Sequence, residues 1–311
     1  MTRTLGLLVM SYGTARDLDD VEAYYTHIRG GRAPAPELVD ELRERYRAIG
    51  GRSPLLQITD AQIRALEAAL NAGPPPGTAF RAWGGMKHQS PYIEDAVAAM
   101  AADGVREGIG LVLAPHYAGM SVGEYQRRAR EAGEAHGVRF AFVDSYHDHP
   151  GFVAFVAERV REALDRLPPG VRDGAPVVFS AHSLPERIVA GGDPYPKQLQ
   201  ETADAVAARL GLRSYLTAWQ SAGRTPEPWL GPDLVEVLRD LAGQGCTAVV
   251  SCPVGFVADH LEVLFDVDVE AQGAARQAGL ILVRTRSLND DPAFIAVLAD
   301  VVREQLARGD G

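Results

Sequence analysis

Eight short apolar runs recur along the chain, each followed by a stretch with helical spacing, and this alternation leaves few folds open. In the first half the runs are "LGLLVMSYG" (5–13), "TAFRAWGG" (78–85), "GIGLVLAPH" (108–116) and "RFAFVDS" (139–145). In the second they are "APVVFSAHS" (175–183), "SYLTAWQS" (214–221), "CTAVVSCPVGF" (246–256) and "LILVRT" (280–285). An unbroken apolar run marks a strand covered on both faces, as in a parallel sheet. Helical patterns fill the gaps at 59–72, 91–103, 121–135, 151–165, 193–210, 232–243 and 291–307. The βαβα order predicts an α/β protein of two Rossmann-like domains, each a four-stranded parallel sheet flanked by helices. At 311 residues the chain is long enough for two such cores. The stretch "YHDHP" (146–150) marks a boundary between an N-terminal domain, 1–148, and a C-terminal domain, 149–311. The last helix is free to pack back on the first domain.

Several function classes drop out early. No G-x-G-x-x-G or P-loop follows a strand, and "GTARD" after the first has one glycine, too few for a dinucleotide fingerprint. A net charge of −10 disfavours nucleic acid. The two cysteines, Cys246 and Cys252, cannot build a disulfide framework or a four-cysteine cluster. No apolar run reaches the roughly 18 residues of a membrane span, and no signal-peptide pattern opens the chain, so the expected location is the cytoplasm.

In open α/β sheets ligands collect at the carboxyl ends of the strands. Those ends carry Tyr12, Gly84 to His88, His116 and Tyr117, Ser180 to Ser183, Gln220 and Ser221, and Pro253 to His260, a set rich in His, Tyr and Ser. His182, in "SAHSLPERIVAGGDPY", admits a plain reading: Ser183 as a helix N-cap with Glu186 three residues on, a capping box that needs no chemistry. The segment 254–279 offers a second pattern. Glu262, Asp266 and Glu270 are spaced four and four, so on a helix they form one acidic stripe among Leu261, Val263, Leu264, Phe265, Val267 and Val269. Enclosed carboxylates one turn apart repel each other unless a cation is shared among them. Imidazole and carboxylate together suit a borderline divalent metal, and the absence of thiolates argues against a permanent structural zinc.

The segments "GLLVMSYGT", "YYTHIRGGRAPAPE", "RYRAIGGRSPL", "APHYAGMSVGEY", "SAHSLPERIVAGGDPYP", "WQSAGRTPEPWLGPD" and "PVGFVADHLEVLFDVDVE" span nearly the whole chain. Together they closely resemble the ferrochelatases, especially the coproporphyrin III ferrochelatases of Gram-positive-type bacteria. The resemblance implies a chelatase-like fold and insertion of Fe2+ into coproporphyrin III, giving coproheme with release of two protons. It implies that His182 and Glu262 are the catalytic pair and hold the Fe2+, facing each other across the porphyrin cleft. Asp266 and Glu270 would form an outer site for a second, hydrated metal such as Mg2+, and Tyr12 the axial ligand to the product iron. Arg29, Arg45, Tyr46, Ser53 and Tyr125 match positions that hold the porphyrin's propionates and rim. Guanidinium forks and hydroxyls suit a tetracarboxylate edge.

The resemblance also implies iron as a substrate rather than a permanently bound cofactor, and a monomer in transient contact with the downstream haem-pathway enzyme. Two cysteines in apolar strands cannot supply the ligands of a [2Fe–2S] cluster, so none is expected. The sequence departs from its relatives at Ser11, where alanine is frequent, and adds Arg47 and Arg52 near the "RYRAIGGRSP" loop. A protoporphyrin IX enzyme, a cobalt or nickel chelatase and a non-catalytic haem carrier remain as alternatives.

Overall fold

Every apolar run forms a strand. The computed structural model describes residues 3–75 and 77–309. Strand β1 (Arg3–Ser11) is buried from Leu5 to its end, as its unbroken apolar character requires. It pairs in parallel with β2 (Thr78–Met86) on one side and β3 (Glu107–Val112) on the other, and β3 pairs with β4 (Arg139–Phe142). Helices α1 (Val21–Ile28), α2 (Pro36–Ala48) and α3 (Leu55–Asn71) lie between β1 and β2, α4 (Ile93–Ala102) precedes β3, and α5 (Val122–His136) precedes β4. The apolar stripes of α4 and α5 close over Leu8, Met10 and Val112 of the sheet.

The second unit begins with α6 (Pro150–Asp165) and α7 (Pro169–Arg172), followed by β5 (Val177–His182). The short α8 (Arg187–Ala190) and α9 (Tyr195–Leu210) lead to β6 (Tyr215–Gln220), and α10 (Leu234–Gly243) leads to β7 (Ala248–Cys252). A capping box of Asp233 and Glu236 starts α10. After β7 come α11 (Leu261–Leu264), a π-helical turn (Asp266–Ala271), α12 (Gln272–Gln277) and β8 (Ile281–Arg284). The sheet is again parallel, and α10 packs with Val267, Ala271 and Ala275 over its Val178, Val249 and Leu282.

Both sheets share one topology, β2-β1-β3-β4 and β6-β5-β7-β8. The strand order therefore reverses beside the first strand of each sheet, and the loops after β1 and β3, and after β5 and β7, open at the switch points where such sheets bind ligands. Tyr12 directly follows β1, and His182 ends β5.

Three expectations need correction. The units are Met1–Tyr146 with Leu288–Gly311, and His147–Ser287. The second domain thus ends at Ser287 rather than 311, and the last helix returns to the first unit, the packing that the sequence left open. There α13 (Pro292–Gly309) packs on α3, β3 and β4, and Gln62 Nε2 donates to the Asn289 carbonyl at 2.7 Å. Second, the acidic segment is not one α-helix. The amide of Glu270 reaches back five residues to the Phe265 carbonyl at 2.9 Å, which widens the helix through the acidic stripe. Third, Ser183 caps no helix. Its hydroxyl donates to the Leu230 carbonyl at 2.7 Å, and α8 starts only at Arg187.

Candidate active site

The backbone on either side of His182 is tied down. The Ser183 amide donates to the Gln220 carbonyl at 2.7 Å, carrying the β5–β6 pairing past the strand end. Beyond it, Leu230 donates to the Leu184 carbonyl at 2.9 Å and Glu186 to that of Pro228 at 2.9 Å, so residues 184–186 are zipped to 228–230. The Tyr195 hydroxyl donates to the His182 carbonyl at 3.0 Å. On the other flank, Gly255 donates to the Ser180 carbonyl at 3.0 Å, and a Cβ there would lie 2.5 Å from that of Ala181. Only glycine lets the turn after β7 lie this close to β5.

The imidazole is oriented by its own loop. Nδ1 donates to the Ser183 carbonyl at 2.5 Å, which fixes the proton on Nδ1 and leaves Nε2 as the basic atom. Nε2 stands 3.7 Å from Glu262 Oε1, with each side chain one-third exposed. The pair predicted from two distant segments is therefore together. A second imidazole completes it. His260 Nδ1 donates to the Ala258 carbonyl at 2.9 Å, and its Nε2 lies 3.5 Å from Glu262 Oε2. One carboxylate thus separates two imidazoles that present the same nitrogen to it, one on each oxygen.

Sequence reasoning gave His260 no role. The signal lay in its offset of two from Glu262: His260 is extended, with φ −158° and ψ −178°, immediately before α11.

Burial alone would lower the basicity of His182, but the Glu262 charge and the Ser183 carbonyl outweigh it and raise its pKa above the ordinary 6.5. Burial would likewise push Glu262 up. His182 and His260 reverse that and hold its carboxyl well below the usual carboxylate range.

Gln220 ties the two halves of the pair together. Its side-chain oxygen accepts from Ser180 at 2.9 Å, and its Nε2 donates to the Glu262 carbonyl at 3.0 Å. Along the stripe, Asp266 is buried and accepts the hydroxyl of Ser221, whose φ is +60°, while Glu270 is exposed. A buried carboxylate followed by an exposed one fits a hydrated Mg2+, which keeps most of its waters and needs one or two carboxylates.

The remaining predicted residues belong to the first unit. Tyr12 is 40% exposed, and its ring centroid lies 4.7 Å from that of His88, whose amide donates to the Tyr12 carbonyl at 2.9 Å. Burial, with Lys87 nearby, pushes the pKa of His88 down to about 3, so its imidazole is neutral. Arg29 is exposed at the end of α1, and Arg45 is half-buried, 3.6 Å from Glu41. Tyr46 does not stand at the surface as a rim hydroxyl would. It is buried, its hydroxyl 2.7 Å from Thr14 Oγ1 and accepting from the Ala15 amide at 3.2 Å. Ser53 is buried and accepts from the Leu55 amide at 3.3 Å, and Tyr125 is buried with Lys87 Nζ 5.3 Å from its ring centroid.

The ferrochelatase family profile matches residues 4–306. The chain belongs to the ferrochelatase family. It is 48% identical over 308 residues to the coproporphyrin III ferrochelatase of Geobacillus thermodenitrificans, covering 98% of this chain and 97% of that one. It is also 48% identical to the coproporphyrin III ferrochelatase of Bacillus subtilis, covering 98% and 99%. A ferrochelatase of Deinococcus radiodurans is 47% identical, covering 98% and 97%. Among solved structures, the sirohydrochlorin chelatase SirB from Bacillus subtilis subspecies spizizenii, in complex with cobalt, has a TM-score of 0.59 at 14% identity, covering 99% and 97%. SirB from Bacillus subtilis with Fe3+ reaches a TM-score of 0.61 at 14% identity, covering 99% and 98%. At that identity the likeness shows the chelatase fold of the family.

Proposed function

We propose that the chain is a coproporphyrin ferrochelatase, inserting Fe2+ into coproporphyrin III to give coproheme and two protons. The observation that carries this reading is 48% identity, over nearly the full length of both chains, to relatives of that name. His182 and Glu262 are the insertion pair. A porphyrin gives up two pyrrole protons as the metal enters, and two Nε2 atoms flank Glu262 with lone pairs able to take them. His182 accepts from the ring, the carboxylate stabilises the imidazolium, and His260 offers the second acceptor. Asp266 and Glu270 are the outer carboxylates, where a hydrated Mg2+ would be held. Arg29 and Arg45 take the substrate's carboxylates, and Tyr12 is the phenolic ligand to the product iron. Ser53, Tyr125 and Tyr46 belong to the same binding set, Tyr46 by bracing the turn after Tyr12.

Among the described residues no helix is long and apolar enough to cross a membrane. Two unpaired cysteines suit a reducing compartment, and the cytoplasm is the proposed location, with the chain acting as a monomer and passing its product to the next haem-pathway enzyme. The test is an anaerobic Fe2+ insertion assay with coproporphyrin III and protoporphyrin IX side by side. Preference for the tetracarboxylate is the expected result. Equal or better use of protoporphyrin IX overturns the assignment of substrate, and absence of insertion into either overturns the reading.

A further inference from the structure

Twelve residues, 259–270, carry five carboxylates: Asp259, Glu262, Asp266, Asp268 and Glu270. They are not equivalent, because one cation sorts them. Arg284, at the end of β8, has a side chain only 15% exposed. Its Nε and one terminal nitrogen grip the two oxygens of Asp268 at 2.7 and 2.9 Å, a fork on a carboxylate. Its other terminal nitrogen stands 3.3 Å from Asp259 Oδ1 and donates to the Thr285 carbonyl and to Ser287 Oγ, both at 3.1 Å. Ser287 in turn donates to Asp259 Oδ1 at 2.7 Å. Asp259 precedes His260, and Asp268 sits in the π-helical turn between Asp266 and Glu270.

We propose that Arg284 is a positioning residue for metal insertion: it pins the loop that presents His260 and the turn that presents Asp266 and Glu270 to the end of β8. It pairs with both carboxylates outside the 262–266–270 stripe, its one positive charge offsetting half of their negative charge. The fork matters as well as the charge. A lysine cannot span both oxygens of Asp268 while reaching Asp259. The Phe265 carbonyl accepts from both Val269 and Glu270, a widened turn of the kind often found at functional sites, and the fork on Asp268 anchors it from outside the helix.

This assignment rests on the proposed function, and its test keeps the two apart. R284Q and R284K are compared with the unsubstituted chain in anaerobic Fe2+ insertion, coproporphyrin III binding by fluorescence quenching, and thermal unfolding. R284Q is expected to lower kcat/KM ~10- to 100-fold, the range found when an outer residue orienting a metal ligand is removed, with porphyrin Kd within about 2-fold. R284K should lose nearly as much. Single-arm variants divide the effect and leave the arginine in place: D259N should lower kcat, and D268N should raise the KM for Fe2+. Unchanged kinetics in R284K overturn the proposal, as does loss of activity in R284Q in step with porphyrin affinity and folded fraction. If the unsubstituted chain inserts no metal, the functional reading fails by itself. The role of Arg284 is then decided by Co2+ titration of the porphyrin-free protein: about 10-fold weaker binding in R284Q supports it, and equal binding overturns it.

Discussion

His260 Nε2 lies 3.5 Å from Glu262 Oε2, on the opposite carboxylate oxygen from the one that faces His182. Both rings spend Nδ1 on a backbone carbonyl, so neither can turn its basic nitrogen away without breaking that bond. The carboxylate therefore couples two proton acceptors in one line.

Removing the outer imidazole should slow turnover more than it weakens substrate binding. H260A is expected to lower kcat by ~10²-fold or more, the scale of a lost general base, with the porphyrin Kd nearly unchanged. H182A should abolish insertion, since it removes a proton acceptor and a metal ligand together. Anaerobic initial rates beside equilibrium porphyrin binding check both. Retained insertion by H182A would sink the assignment of the pair.

The pH dependence follows from the directions of the shifts. A metal binds His182 only after Nε2 has lost its proton, so Co2+ affinity should rise with pH, about tenfold per unit, and level off above the folded pKa. Because Glu262 raises that pKa, the inflection should fall above 6.5. In E262Q the largest raising charge is gone while burial, the Ser183 carbonyl and Asp266 remain, so the inflection should move to lower pH than in the unsubstituted chain. Stability of the metal-free protein should respond in the complementary sense. The His182 contribution is fully present below 6.5 and is lost as pH rises through the raised pKa, and the Glu262 contribution is present above 4.5 and fades as pH falls. Titration calorimetry and pH-dependent denaturation test the two halves separately.

A methyl group at Gly255 should disturb His182 without touching it. Its Cβ would fall 2.5 Å from the Ala181 Cβ and 2.8 Å from its Cα, and backbone cannot step aside as a side chain can. G255A should cost ~1–3 kcal/mol, the scale of an overpacked core, and should lower kcat by displacing the end of β5. A chevron plot with parallel kinetics gives both numbers.

Y46F isolates the bracing of the Tyr12 turn. It deletes the hydroxyl shared with Thr14 and Ala15 and leaves a buried amide without its partner, at ~1–3 kcal/mol. If Tyr46 instead met the substrate directly, the loss would appear in porphyrin affinity rather than in denaturation midpoint.

The strand–helix rhythm was legible because burial on both faces of a parallel strand writes itself as an unbroken apolar run. Strand number and parallel sheets followed from that, as did the placing of Tyr12 and His182 at strand ends. The acidic spacing of 262, 266 and 270 was equally visible, since four-residue periodicity is local. Sequence left open the return of the last helix to the first unit but could not show that Ser183 turns to Leu230 or that the stripe lies on a π-helical turn. The first depends on a partner 47 residues away, and the second on a choice between four- and five-residue backbone bonds that the side-chain spacing does not record. The same holds for His260, whose meaning comes from the carboxylate oxygen it faces, and for Arg284, which joins Asp259 to Asp268 only because β8 lies beside β7 in the folded sheet. Residue types and their periods set which chemistry the chain could carry. Long-range packing decided which of those groups meet, and at which atoms.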